Sequence, residues 1–344
     1  DRSRRSVTQI CRMVARPAGR PIGGAFVLRS RSVCEAAGSD PRHRSGSDSC
    51  AAHWTLRPLL FGSPRLRMPN RHTPDSLPRP FCSDWPPSTR EAAQALWQWH
   101  SALVHPYAIV SNGTAGSVDA FFAEEQQRAV DGNPMRMLRE RVWQRAYAVC
   151  EDHDLDRSLL AEQVGAAQRF QTSVRFETGP DLKAFVRSWA VPHGRLLGGL
   201  ADADYTWQLR YLDELARAFF HLGRLLTLPH DLENGRLFLP LDDLRRNDIS
   251  IQQLREGAVT EGIRRVLWKE TVRIRDALAQ GQPLLKELSL WPRMMVKRWW
   301  LAALEMLQEI ERRDYDLWSQ PPRLSVFRRA QIYLQTLFGR AATG

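Results

Sequence analysis

The chain has 344 residues, 43% of them hydrophobic, enough to bury a sizeable core, and a formal net charge of +11. That charge suggests an anionic partner until it is located: residues 1–67 hold thirteen Arg, no Lys and four acidic residues, a balance of +9, so everything from Met68 onward carries only +2. Nucleic-acid binding is thereby set aside, and so is a disulfide framework, because Cys11, Cys34 and Cys50 fall in the basic segment and leave only Cys82 and Cys150, too few for one and without zinc-like spacing.

Residues 1–84 are rich in Arg, Ser and Pro, show no sustained helical or alternating pattern, and are expected to be disordered. Two origins suit residues 1–67: a basic targeting peptide, or upstream DNA translated with Met68 as the true start. The lack of an initial Met and the exclusive use of Arg favour the second. Residues 85–342 read as one helical domain. Ser88 or Thr89 offers an N-cap for a helix opening at Arg90, and Val118 to Val130 resumes as a helix with Phe121 and Phe122 buried. A third helix is expected over Met135–Cys150, followed by the acidic loop Glu151–Asp156 around His153, whose consecutive carboxylates diverge rather than converge on one ion.

Helical periodicity continues over Arg157–Gln168 and Asp181–Leu200, the latter with Thr178 as cap and Pro180 in the first turn. Tyr205–Leu226 is the clearest amphipathic helix, with Leu215, Ala218, Phe219, Leu222, Leu225 and Leu226 on one face. Further helices fit Ile251–Gly257, Thr260–Ala279, Pro292–Arg313 and Ser325–Leu337. Without strand-like alternation the fold class is all-α. No apolar run approaches the roughly 18–20 residues that span a bilayer. The expected location is a reducing cytoplasm, with any membrane contact peripheral at the inner face. Lys297 and Arg298 beside Trp299 and Trp300 suit a membrane surface, but core packing of the two Trp is the favoured reading.

Three blocks occur in an order that resembles the squalene/phytoene synthase family. These are RFETGPDLKAFVRSWAVPHGRLLGGL (Arg175 to Leu200), GRLFLPLDDLRRNDIS (Gly235 to Ser250) and ALEMLQEIERRDYDLWSQPPRLSVFRRAQIYLQTL (Ala303 to Leu337). The resemblance implies a single-domain isoprenoid-synthase-like helical bundle with a central apolar cavity. It also implies two aspartate-rich motifs on facing helices that hold Mg2+, which in turn binds the diphosphates of two prenyl substrates joined head to head. Metal ions neutralise the leaving diphosphate as Lewis acids, and an apolar cavity shields the carbocation from water.

Against that family pattern most of the carboxylates are missing. Val104, His105 and Ala108 stand at the aspartate positions of the first motif. Asp119, Glu124 and Glu125 come only on the next helix and are expected on its solvated face. Counting back from Gly235 places Gly223, Leu226, Thr227 and Asp231 at the Asn, Arg and two Asp of the second motif, so Asp231 alone survives as candidate catalytic and metal-binding residue. A simple turn role for Asp231, Glu233 and Asn234 weighs equally. Phe185 stands where the family has a Tyr near the reacting carbons. Arg224, Arg236 and His230 leave the site cationic, and with Phe185 they are the candidate substrate-binding residues.

The expected function is that of a family member binding a prenyl diphosphate or isoprenoid lipid with condensation lost or much reduced. The alternative is an active divergent prenyltransferase joining two farnesyl or geranylgeranyl diphosphates.

Overall fold

Helices form where apolar residues recur every 3.6 positions, and several start at a residue that satisfies free amides of the first turn. The computed structural model describes residues 84–104, 117–171, 173–203 and 205–338. In chain order the helices are α1 (Pro87–Ala102), α2 (Val118–Asp131), α3 (Glu140–Asp152), α4 (Ser158–Ala167), α5 (Gly179–Gly199), α6 (Thr206–Leu226) and α7 (Leu228–Glu233). There follow α8 (Leu241–Arg245), α9 (Ile251–Glu256), α10 (Glu261–Gly281), α11 (Leu284–Glu287), α12 (Leu290–Arg312) and α13 (Val326–Phe338). Among the described residues there is no strand, so the all-α expectation holds. The expected disorder of 1–84 falls almost wholly outside the described residues.

Caps explain several boundaries. Thr178 Oγ1 accepts from the Asp181 amide while the Asp181 carboxylate accepts from the Thr178 amide, a reciprocal box that opens α5 where expected. Ser250 and Gln253 do the same for α9, and Thr260 caps α10. Two boundaries differ from expectation by three residues or more. Helix α1 begins at Pro87 rather than Arg90, because proline tolerates the first helical turn, where its missing amide would be unpaired anyway. Helix α3 begins at Glu140 rather than Met135, because the preceding turn is held from afar: the Met137 amide donates 3.1 Å to Glu125 Oε2 on α2.

Packing runs α2, α4, α5, α6, α10 as successive neighbours, with α1 against α3 and α5, and α13 against α12. Helices α5 and α6 approach closely because Gly194 faces Ala216: a Cβ on Gly194 would sit 2.5 Å from that of Ala216. One continuous core of Leu, Val, Ile, Phe and Trp results. Trp299 belongs to it, and the Trp300 Nε1–H donates to the Leu278 carbonyl at 2.9 Å. The two Trp therefore pack inward. No helix among the described residues is long and apolar enough to cross a membrane.

Candidate functional site

The stretch between α6 and the extended segment Arg236–Pro240 is shaped by the end of α7. Gly235 has φ +73°, its amide donates to the Leu232 carbonyl at 3.2 Å, and the Arg236 amide donates to the Asp231 carbonyl at 2.8 Å. This pair of reversed bonds closes a helix C-terminus and needs a residue at ease in the left-handed region, which accounts for the Gly of GRLFLP. Beyond it the chain runs beside Val174–Glu177: the Leu237 amide donates to the Val174 carbonyl at 2.8 Å, and the Leu241 amide to the Phe176 carbonyl at 2.9 Å. The first two sequence blocks are thus bound edge to edge, and Phe238 is delivered to the foot of α5.

Asp231 is 1% exposed. Its Oδ2 accepts from the Thr227 hydroxyl at 2.7 Å, its Oδ1 accepts from Arg224 Nη1 at 3.3 Å, and its own amide donates to the Thr227 carbonyl at 2.8 Å. Thr227, standing at the other aspartate position, therefore serves as a donor to the surviving carboxylate. A cavity of only about 10 Å³ adjoins Asp231, Arg224, Phe238, His221 and Glu270. That is room for about one water.

Three of the four expected substrate-binding residues converge. The Arg224 guanidinium lies 5.9 Å from the Phe220 ring centroid and 5.3 Å from that of Phe238, and Arg236 lies 5.3 Å from that of Phe170. Phe185 meets Phe170 at 5.7 Å, Phe220 at 6.1 Å and Phe238 at 6.2 Å, and stacks on Trp189 at 6.3 Å. The outcome is an aromatic box with two buried guanidinium groups against its faces, an arrangement that cation–π attraction favours. His230 stays apart at the partly exposed end of α7, its Nδ1 3.7 Å from Glu233. An open groove of about 540 Å³ adjoins Phe185 and is edged by Arg169, Arg187, Gln126 and Ser188. A separate apolar cavity of about 40 Å³ lies among Trp85, Gly194, Leu215, Phe219 and Met295.

Among the first-motif positions, Val104 is fully buried, while His105 and Ala108 lie outside the described residues. No carboxylate occurs anywhere from Ser101 to Val118. Of the three acids on α2, Asp119 and Glu124 are solvated as expected, but Glu125 is fully buried, which corrects the solvated-face reading. It accepts from Arg136 Nε at 3.1 Å and from the Met137 amide, so it holds the α2–α3 turn. Among the described residues no three His, Cys, Asp or Glu side chains are grouped to hold a metal ion.

A family model described as squalene/phytoene synthase matches residues 83–330. The chain belongs to the squalene/phytoene synthase family. A phytoene synthase of Thermus thermophilus is 27% identical over 162 residues, 46% of this chain and 54% of that protein, so the chain spans about half the length of this curated relative. Among solved structures, a dehydrosqualene synthase in complex with ligand superposes with a TM-score of 0.58 at 16% identity, covering 75% of this chain and 89% of the other. Squalene synthase HpnC from Alicyclobacillus acidocaldarius gives 0.53 at 20% identity, covering 69% and 99%. YisP from Bacillus subtilis gives 0.53 at 16% identity, covering 74% and 90%. At these identities the structures speak for the fold, which is the squalene synthase-like helical fold.

In this family member the sequence reading missed two polar clusters beside the box. Glu270 on α10 is buried with Oε1 2.8 Å from His221 Nδ1 and Oε2 3.1 Å from Arg273. Burial pushes its carboxyl up, but His221 and Arg273 outweigh this and hold it below the usual range. Asp243 in α8 is likewise buried and accepts from Lys269 at 2.5 Å and Arg273 at 2.7 Å. Glu270 was detectable, since it occupies an apolar-stripe position between Ile263, Val266, Leu267 and Ile274. The second cluster is His100, Gln163 and His193. His100 Nδ1 lies 2.8 Å from Gln163 Oε1 and its ring stacks 4.1 Å from that of His193. Neither ring nitrogen of His193 meets a partner among the described residues, and burial, aided by His100, holds its imidazole well below the ordinary value.

Proposed function

We propose that this family member takes up a prenyl diphosphate or an isoprenoid lipid and has lost most or all of the head-to-head condensation. The observation that carries this reading is the clasp on Asp231. Mg2+ asks for several converging oxygen ligands with free lone pairs. The one carboxylate left in the second motif is buried and bonded by a hydroxyl and a guanidinium, and the first motif offers buried Val104. These residues do not fit the metal. Without it the ionisation of an allylic diphosphate loses several kcal/mol of charge stabilisation, and about 1.4 kcal/mol is a factor of ten in rate.

Binding has support where catalysis does not. Phe185, at the edge of the aromatic box, lines the adjoining groove, whose volume lies within the roughly 300–1,000 Å³ range of small-molecule sites. Arg169 and Arg187 on its rim supply forks for phosphate oxygens. The test is calorimetric titration of the full chain with farnesyl diphosphate, with and without EDTA, alongside a pyrophosphate-release assay in Mg2+. Expected are binding that EDTA leaves unchanged, weakened by Arg187→Glu, and no release above the protein-free blank. Mg2+-dependent release that Asp231→Asn abolishes would establish the active prenyltransferase instead.

A further inference from the structure

Helix α13 carries an apolar stripe on the side turned away from the domain. Its inward face is set by buried Ile332 and Thr336 packed against α12, with Arg328 Nε 3.7 Å from Glu305 and the Arg298 guanidinium 5.2 Å from the Tyr333 ring. Its outward residues are Val326, Phe327, Leu334 and Leu337, exposed by 64%, 77%, 54% and 40%. Positions 327, 330, 334 and 337 follow one another by three or four residues, so Phe327, Ala330, Leu334 and Leu337 form one strip along the helix. A helix that only closes a domain has its apolar strip inward; here a second one faces water. Isolated surface apolar residues need no account, but a contiguous strip of large ones marks a contact surface.

Charge identifies what covers it. From Leu317 to Gly344 the sequence contains Arg323, Arg328, Arg329 and Arg340 and no Asp or Glu. Pairing with a second copy through this face would set the same cations against each other, with no carboxylate on the segment to neutralise them. An anionic lipid surface answers both features, taking the apolar strip into the acyl boundary and the guanidinium groups at the head groups. Geometry agrees. The contacts 298–333 and 305–328 make α12 and α13 antiparallel, so exposed Leu290 and Trp291 at the start of α12 lie at the same end of the pair as the close of α13. A helix of 13 residues is about 20 Å long, too short to span and suited to lie in the plane.

We propose that α13 docks this protein on anionic membranes, Phe327, Leu334 and Leu337 entering the lipid and exposed Arg323, just before the helix, facing the head groups. The proposal does not depend on whether the family reaction survives. It is tested by sedimenting the full chain with vesicles of phosphatidylcholine alone or mixed with phosphatidylglycerol, comparing wild type with Phe327→Ser/Leu334→Ser. The basic segment 1–67 is common to both proteins, so it cannot produce a difference between them.

Expected is sedimentation with the anionic vesicles, weaker with phosphatidylcholine alone, and a partition coefficient at least about tenfold lower for the double variant. Both replaced side chains are exposed, so the thermal midpoint should stay put, and Arg323→Glu should weaken binding without touching the strip. Three results would overturn the proposal: no sedimentation of wild type with anionic vesicles, equal sedimentation of the double variant, or light scattering that finds a wild-type dimer and a monomeric variant, which would assign the face to a second copy.

Discussion

Asp231 and Arg224 stabilise one another while adding little to the fold as a pair. Taking both charges out of water costs about what their attraction returns, whereas deleting one removes the opposite charge against which the buried other is set. Asp231→Ala is therefore expected to cost about 3–5 kcal/mol of unfolding free energy. The double replacement Arg224→Met/Asp231→Leu should return to within about 1–2 kcal/mol of wild type in urea denaturation. Thr227→Val, which removes only the hydroxyl donor, should cost roughly 1–2 kcal/mol. If Asp231→Ala proved as stable as wild type, the carboxylate would not be the structural clasp described, and the metal-ligand role would regain ground. The register that put Thr227 and Asp231 at the two aspartate positions was legible in the sequence. Their mutual bond was not, because i, i+4 spacing also suits two ligands of one ion.

At the scale of elements, the sequence showed what is local. The caps at Thr178, Ser250 and Thr260 and the apolar periodicity of α5, α6 and α10 need only neighbouring residues. What it hid is set by distant partners: Glu125 fixing the turn before α3, Asp243 gathering cations from α10, and the convergence of Arg224, Arg236 and Phe185 on rings contributed by other segments. Two glycines on facing helices separate packing from propensity. Gly194 on α5 has no room for a methyl group against Ala216, while a Cβ on Gly223 of α6 would meet nothing within 4 Å. Gly194→Ala should destabilise by about 1–3 kcal/mol through forced separation of α5 and α6. Gly223→Ala, by contrast, should stabilise by up to about 1 kcal/mol, since alanine is the better helix former. Calorimetric midpoints moving in opposite directions would bear out the close approach; two equal shifts would contradict it.

For the whole molecule, the buried titratable groups give stability a definite pH dependence. His193 on α5 sits neutral in the core with its proton affinity depressed by burial, so the unfolded chain, where the value returns to about 6.5, binds the proton first. Stability from this group is complete above pH 6.5 and falls as pH drops below it, by at most about 1.4 kcal/mol per pH unit. Glu270 and Asp243 act in the same direction further down. Their carboxyls are depressed in the fold by His221 and Arg273, and by Lys269 and Arg273, despite burial, so the contribution is present above the unfolded values of 4.5 and 3.8 and is lost as pH falls through the depressed folded values. The three groups lie on α5, α10 and α8, and Glu270 and Asp243 share Arg273, which couples α6, α8 and α10. Acid unfolding should therefore show an early slope that sets in below about pH 6.5 and a steeper one below about 4.5. Replacing His193 by Phe keeps a ring against His100 and removes the proton. That variant should abolish the early slope and leave the later one, as read from urea midpoints across pH; an early slope surviving in His193→Phe would place its source at another group.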